Sequence, residues 1–406
     1  MTTTAAPTDR EWAPRFWEGA DYFAWLRVLF GGRFAVDPPY WYIAAIVSCT
    51  TFANTVLRWV QHGLHGDRIA ATPVTTPPLF VLGHWRTGTT LLHELLILDD
   101  RHTCPDTFAC FCPGHTLLSE EFYKRHLAFL MPKKRPMDNM PAGWDRPQED
   151  EFALLLLGQP SPYADVAFPR RPPPFPGSLD LSGLTPPQLR AWKRTFRRFV
   201  QTLTLIDARR MRNAERGRMS DESKRGEAGA YSIHHSSLIT HRSRRLVLKS
   251  PPHTARLPVL LELFPDARFV HIVRDPYVLF ASTCNLWVSL ARRHGFQRPE
   301  LTPAVEEKVF REFRVIHERY EAAKHLIPPG RLVEVRYEEF VRDLVGGTKA
   351  IYDGLGLGGW EAVRPRVEGY AAKAKGYEPN KWPLTPELRA KVRDRWGDII
   401  DAQGYR

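Results

Sequence analysis

Cysteine is scarce in this chain: five residues among 406, an odd number with no disulfide-framework spacing. That pattern excludes a disulfide scaffold and predicts reduced thiols in a cytoplasmic setting. Carboxylates are outnumbered, 45 against 57 Lys and Arg, for a formal net charge of +12. The imbalance favours anionic partners such as nucleotides, phosphorylated or sulfated compounds, or a membrane surface. The cations are scattered, with no long basic tail, so no nucleic-acid partner is expected. Internal repeats are lacking, and the opening MTTTAAPTDREW has none of the basic-then-apolar order of a signal peptide. His102, Cys104, Cys110, Cys112 and His115 crowd together without zinc-knuckle C-x-x-C spacing. On a strand Cys110 and Cys112 would share one face; they read as small buried hydrophobes, and no metal is expected.

What is present is the material for one large core. Hydrophobic residues make up 43% and aromatics 12%, which describes a globular chain. Residues 38–57 are uncharged and long enough to span a bilayer. Their second half contains Ser48, Thr50, Thr51, Asn54 and Thr55, a poor set to face lipid. Upstream stand Trp12, Phe16, Trp17, Tyr22, Phe23, Trp25 and Phe30, which suit a membrane interface. The preferred expectation is an N-terminal helical segment over 1–74, packed on the main domain, with peripheral membrane contact as the alternative.

Residues 72–78, TPVTTPP, form a breaker-rich linker, and 75–406 are expected to make one domain. LFVLG reads as a buried strand, and Thr89 to Leu98 as a helix with a broad leucine face. The aromatic and proline-rich region 104–178 ends irregularly in RRPPPFPGS. A helix is expected over 186–211, followed by an exposed polar insertion within 212–243. RLVLKS (245–250) is a strand, and PPHTARLPVLLELFP a helix opened by prolines. RFVHIVRD (268–275) is a strand with a helix through Trp287 behind it, and RLVEVRYEEF (331–340) offers another strand. Strand and helix alternate as in a parallel sheet covered by helices.

Ligands bind such sheets beyond the carboxyl ends of the strands. The first strand ends in GHWRTGTT, nearly the phosphate-binding pattern G-x-x-x-x-G-K-[ST]. Gly83 and Gly88 are correctly spaced and Thr90 fills the hydroxyl position, but Thr89 replaces the lysine. The loop can aim backbone N–H groups at an anion, with Arg86, Thr87, Thr89 and Thr90 adding side-chain donors. The second strand ends in Lys249 and Ser250, the third in Arg274 and Asp275.

Taken together, these segments resemble a known family. GHWRTGTTLLHELL is similar to the 5′-phosphosulfate loop of sulfotransferases that use 3′-phosphoadenosine 5′-phosphosulfate. RDPYVLFAST resembles their 3′-phosphate motif, which implies that Arg274 and Ser282 hold that phosphate. VRYEEF resembles the later strand whose tyrosine, here Tyr337, lies beside the nucleotide. LMPKKRPMDNMPAGWDRPQEDEFAL and LKSPPHTARLPVLLELFPDARFVHIVRDP look like one mostly bacterial branch. The resemblance covers roughly residues 75–400 apart from the insertion, and implies an α/β fold with a P-loop-like central parallel sheet.

The missing lysine then acquires a reason. The resemblance implies a donor with one terminal sulfuryl charge and no need for magnesium. By analogy with phosphoryl transfer, the group moves in line through a loose transition state with charge growing on the leaving oxygen. Arg86 and Lys249 are the cations expected against that oxygen, and the resemblance supports Lys249 as catalytic. The general base is left open among three choices. His253 comes first by proximity to Lys249. The run Glu149, Asp150, Glu151 comes second, with orientation of His253, structural ion pairs with nearby arginines and simple solvation as its other readings; His115 is third. Lys373, Lys375 and Lys381 are offered as cations that close over the site or as a solvated helix end.

The expected activity is sulfuryl transfer to an acceptor hydroxyl on a carbohydrate or lipid. The rivals are a P-loop nucleotide kinase and a non-catalytic peripheral membrane scaffold.

Overall fold

The computed structural model describes residues 14–130, 143–224, 243–374 and 384–405. The N-terminal layer holds α1 (Tyr22–Gly31) and α2 (Trp41–Ala70). The main body follows with β1 (Leu79–Leu82), α3 (Thr89–Leu96), β2 (His102–Thr103), α4 (Thr107–Phe111), α5 (Thr116–His126), α6 (Asp150–Leu156) and α7 (Pro186–Lys224). It continues through β3 (Arg245–Lys249), α8 (Leu257–Leu263), β4 (Arg268–Val273), α9 (Pro276–His294), α10 (Pro303–Ala323) and β5 (Leu332–Arg336). Four helices close the chain: α11 (Tyr337–Phe340), α12 (Leu344–Gly354), α13 (Trp360–Ala374) and α14 (Pro386–Ala402).

The sheet is parallel throughout, in the order β2-β3-β1-β4-β5. All four residues of β1 are buried, as the uninterrupted apolar run requires of a central parallel strand. Alternation splits them between two cores. Phe80 and Leu82 join Leu248, Phe269, Trp192 and Phe196 on one face. Leu79 and Val81 join Val247, Val270, Ile272 and the leucines of α3 on the other. The register Val81↔Lys249, Leu82↔His271 and Val273↔Arg336 brings four strand ends to one edge. Because β1 is flanked by β3 on one side and β4 on the other, the chain reverses direction across the sheet there, the place where such sheets bind ligands.

Several expectations about elements change. The helix expected to stop at residue 211 continues to Lys224, with Ala214, Glu215 and Arg216, all good helix formers, carrying it past that point. Residues 225–242 of the expected insertion lie outside the described residues. The single helix expected over PPHTARLPVLLELFP is two pieces, a 3-10 turn over Pro251–Ala255 and then α8, with Pro258 in the first turn of α8 where its missing N–H costs nothing. The strand read over 331–340 stops at Arg336, and Tyr337 opens α11. Cys110 sits in a helix rather than a strand, since Asp106 caps α4 by accepting from the Ala109 N–H at 2.8 Å.

The N-terminal layer packs on the body. Buried Phe16, Trp17 and Trp25 belong to the larger core, and the Trp17 indole donates to the His294 carbonyl at 2.8 Å. Among the described residues α2, with the turn before it, is the one helix long and apolar enough to cross a membrane.

Candidate active site

Glycine makes the loop after β1. Gly83 has φ +147°, and a Cβ there would stand 2.7 Å from the Ile272 carbonyl oxygen. Gly88 has φ +99°, and a Cβ would come within 2.4 Å of the Tyr337 ring. Arg86 between them is also left-handed, at φ +70°. The Gly83 N–H donates to the Thr254 hydroxyl at 2.8 Å, which ties the loop to the segment after β3. The Thr87 hydroxyl donates to the His84 carbonyl at 2.7 Å. Thr89 and Thr90 then open α3, whose unpaired N–H groups face the loop.

Arg86 and Arg274 knit two of the predicted motifs together. Arg274 Nη1 donates to the Arg86 carbonyl at 2.9 Å, and Arg86 Nε donates to the Ser282 hydroxyl at 2.9 Å. The Arg274 guanidinium lies over the Tyr337 ring, 4.2 Å from its centre. Asp275 caps α9 by accepting from the Tyr277 N–H at 2.9 Å. Ser282 is buried on α9, about two turns in.

A second cluster stands at the end of β3. The acidic run opens α6 and meets three basic side chains spaced along residues 249–256. Lys249 Nζ donates to Glu149 Oε1 at 2.7 Å. His253 Nε2 lies 2.5 Å from Asp150 Oδ2. Arg256 clasps Glu151 at 2.6 and 3.0 Å. Glu149 takes a further hydrogen bond from the Tyr163 hydroxyl, and Tyr163 accepts from the Trp85 indole N–H at 2.7 Å. Burial, reinforced by the Glu149 carboxylate, pushes the Tyr163 phenol well above its usual range, so it stays a donor. Burial would raise Asp150, yet the adjoining His253 holds it below the usual carboxylate value.

A cavity of about 960 Å3 joins the two clusters. Arg86, Gly88, Thr89, Thr90, Arg274, Tyr337 and Lys373 line it together with Glu149. Its other walls are largely apolar: Phe16, Phe111, Leu127, Leu130, Phe152, Leu286 and Leu290. The expected residues therefore separate. Glu149 reaches the cavity, and Lys249 meets it through Glu149. His253 does not line it; the ring is 0% exposed, between Asp150 and the Phe80 and Phe196 rings. Glu151 is spent on Arg256 in the core. His115 is buried elsewhere, with Nδ1 2.6 Å from the Ser119 hydroxyl. Lys375 and Lys381 lie outside the described residues.

Sequence reasoning missed Tyr163, Trp85 and Arg256. Trp85 stood inside the quoted loop, and Arg256 follows His253 at three residues, a spacing that matches one turn. Tyr163, in SPYADV, carries no local signal.

Comparison with known proteins bears on this arrangement. Two mycobacterial proteins named Omega-hydroxy-beta-dihydromenaquinone-9 sulfotransferase Stf3, from Mycobacterium bovis and Mycobacterium tuberculosis, are each 40% identical over 396 residues. The match covers 98% of this chain and 92% of each relative. Among solved structures, sulfotransferase STF9 from Mycobacterium avium superposes with a TM-score of 0.64 at 18% identity, over 100% of this chain and 99% of that one. Sulfotransferase STF1 from Mycobacterium tuberculosis H37Rv gives 0.54 at 18% identity, over 93% and 92%. These two share the fold of the parallel sheet and its helices. The family model for sulfotransferases matches residues 77–362, a span that holds the loop, Glu149, Lys249 and Arg274, and the chain belongs to the sulfotransferase family.

Proposed function

We propose that this sulfotransferase moves a sulfuryl group from 3′-phosphoadenosine 5′-phosphosulfate to a hydroxyl on a lipid, with Glu149 as the general base. One observation carries the reading: a carboxylate gripped by Lys249 lines the same cavity as the phosphate-type loop and Arg274. The residues present fit the donor. Gly88 leaves room where any side chain would strike Tyr337, and Arg86, Thr89 and Thr90 offer donors to the sulfate end. Arg274 and Ser282 would hold the 3′-phosphate, and Tyr337 would flank the nucleotide.

The chemistry balances simply. The sulfur–oxygen bond to the leaving phosphate breaks, and a sulfur–oxygen bond to the acceptor forms. The acceptor proton passes to Glu149. Arg86, which lines the cavity, neutralises charge growing on the leaving oxygen, while Lys249 and Tyr163 orient Glu149 through its two oxygens. This reading prefers Glu149 to His253 on position, because a base must lie within hydrogen-bond reach of the acceptor. His253 and Asp150 then support the wall behind it.

The apolar walls support a lipid rather than a carbohydrate acceptor. The 40% identical relatives are named for a hydroxylated dihydromenaquinone, which points to a hydroxyl carried on a long apolar chain. Such a chain enters from a membrane, and a cytoplasmic enzyme in peripheral contact with the bilayer fits that supply. Calorimetric titration with adenosine 3′,5′-bisphosphate, with and without magnesium and at two temperatures, tests the donor site. Binding independent of magnesium is expected. Absence of heat under all conditions would overturn the proposal, and binding of ATP with magnesium alone would favour a kinase.

A further inference from the structure

From Thr51 to Gln61 helix α2 is built inside out, after a first stretch that sends Ile43 and Val47 into the larger core. Its inner face presents polar groups to the protein. The Asn54 side-chain amide donates to the Glu18 carbonyl at 2.6 Å, and the Thr55 hydroxyl accepts from the Tyr22 N–H at 2.8 Å. Gln61 Oε1 accepts from the Leu117 N–H at 2.8 Å. Its outer face is apolar. Tyr42, Ile46, Phe52, Val56, Trp59 and Leu64 recur at helical spacing and are exposed, Phe52 and Trp59 at 62% and Leu64 at 65%. A soluble helix shows the reverse pattern, and a continuous exposed apolar stripe of this length marks a contact surface.

The surroundings choose the occupant. No carboxylate occurs from Pro38 to Gly66. Where the stripe ends, cations gather: exposed Arg68, with Arg209 and Arg212 of α7 beside it, and Arg198 against His62 at 2.8 Å. Partial burial and the charges of Arg68 and Arg212 pull Arg209 below its ordinary value, as expected of like charges gathered together. The inner face of α2 is hydrogen-bonded to the body along its length, which holds the helix flat rather than across a bilayer. The stripe also adjoins the candidate acceptor cavity. Thr50 and Asn54 of α2 line it, as do Leu127 and Leu130, and Phe129 between those two leucines is exposed.

We propose that the outer face of α2 docks in the plane of an anionic lipid bilayer, with Trp59 and its apolar neighbours in the interface and the Arg68–Arg209 cluster on the headgroups. This deepens the lipid-acceptor reading and rests on it only for the purpose of docking, not for its geometry. Docking sets the cavity wall formed by α2 and residues 127–130 against the bilayer that supplies the acceptor.

Flotation of the full chain with phosphatidylethanolamine–phosphatidylglycerol vesicles tests it, with phosphatidylcholine vesicles alongside. The wild-type protein is expected to float with the anionic vesicles and far less with the neutral ones. The triple variant Phe52→Gln, Trp59→Gln, Leu64→Gln should lose at least about tenfold of the bound fraction while keeping its melting temperature and its affinity for adenosine 3′,5′-bisphosphate. The pair Arg68→Gln, Arg209→Gln should abolish the preference for anionic vesicles. Wild-type protein that stays soluble with both vesicles overturns the proposal, as does a triple variant that floats normally. A wild-type dimer that the triple variant converts to monomer, without vesicle binding, reassigns the face to a second copy of the chain. Vesicle binding without adenosine 3′,5′-bisphosphate binding would leave docking standing and remove the sulfuryl-donor reading.

Discussion

Glu149, at the start of α6, and His253, just after β3, meet around the same strand end, yet burial gives them different tasks. Glu149 meets the cavity with both oxygens already engaged, by Lys249 and Tyr163. His253 has its Nε2 committed to Asp150 and aromatic rings around it. Glu149→Gln keeps the shape and removes the proton acceptor, so kcat should fall by about 100-fold or more with the fold intact. His253→Asn should instead lower the melting temperature, because it disturbs the buried partner of Asp150, while kcat stays within about threefold. Steady-state kinetics with thermal melts on both variants decide the matter; the opposite pattern would return the base to His253. The sequence singled out Glu149, Asp150, Lys249 and His253, which meet at the end of β3, but not Tyr163. It was silent on which of them faces solvent, since that depends on how Phe80 and Phe196 from distant segments close over the imidazole.

Elements, rather than single side chains, build the cofactor end. The loop after β1, the end of β4, the second turn of α9 and the residue after β5 converge through Arg274, Arg86, Ser282 and Tyr337. If Arg274 binds the 3′-phosphate, Arg274→Ala should weaken adenosine 3′,5′-bisphosphate at least tenfold, and adenosine 5′-phosphate much less. Calorimetry with the two nucleotides reads the difference. An equal loss for both would mean that Arg274 acts only by holding the Arg86 carbonyl. This convergence was legible because each motif sits at the end of an apolar strand, and parallel strands of similar length end on one edge. The two-residue β2 was not legible, for a pair of residues has no period. The continuation of α7 was missed because a helix without an apolar stripe resembles a polar loop in composition.

At the scale of the whole molecule, the core holds neutral histidines. Burial lowers His84 to about 4, and burial with the nearby Lys249 charge lowers His93 to about 3. Burial lowers His115 to about 4. Each sits far below the usual value of 6.5, so the unfolded chain takes up these protons first as the pH falls. Stability is therefore full above pH 6.5 and declines as the pH drops toward the folded values. Near pH 5 each residue should cost about 2 kcal/mol relative to neutral pH, before other groups are counted. Urea unfolding at pH 7 and pH 5 should show a clear fall in midpoint, with about three protons taken up by these rings at pH 5 and His294, held well below 6.5 by burial, adding to them. Asp150 works lower on the scale, because burial is outweighed by contact with His253, which holds it below the ordinary carboxylate value, whereas burial raises Glu18 and Glu312. A midpoint unchanged between the two pH values would show that these rings find proton-accepting partners in the folded core and are not held neutral by burial.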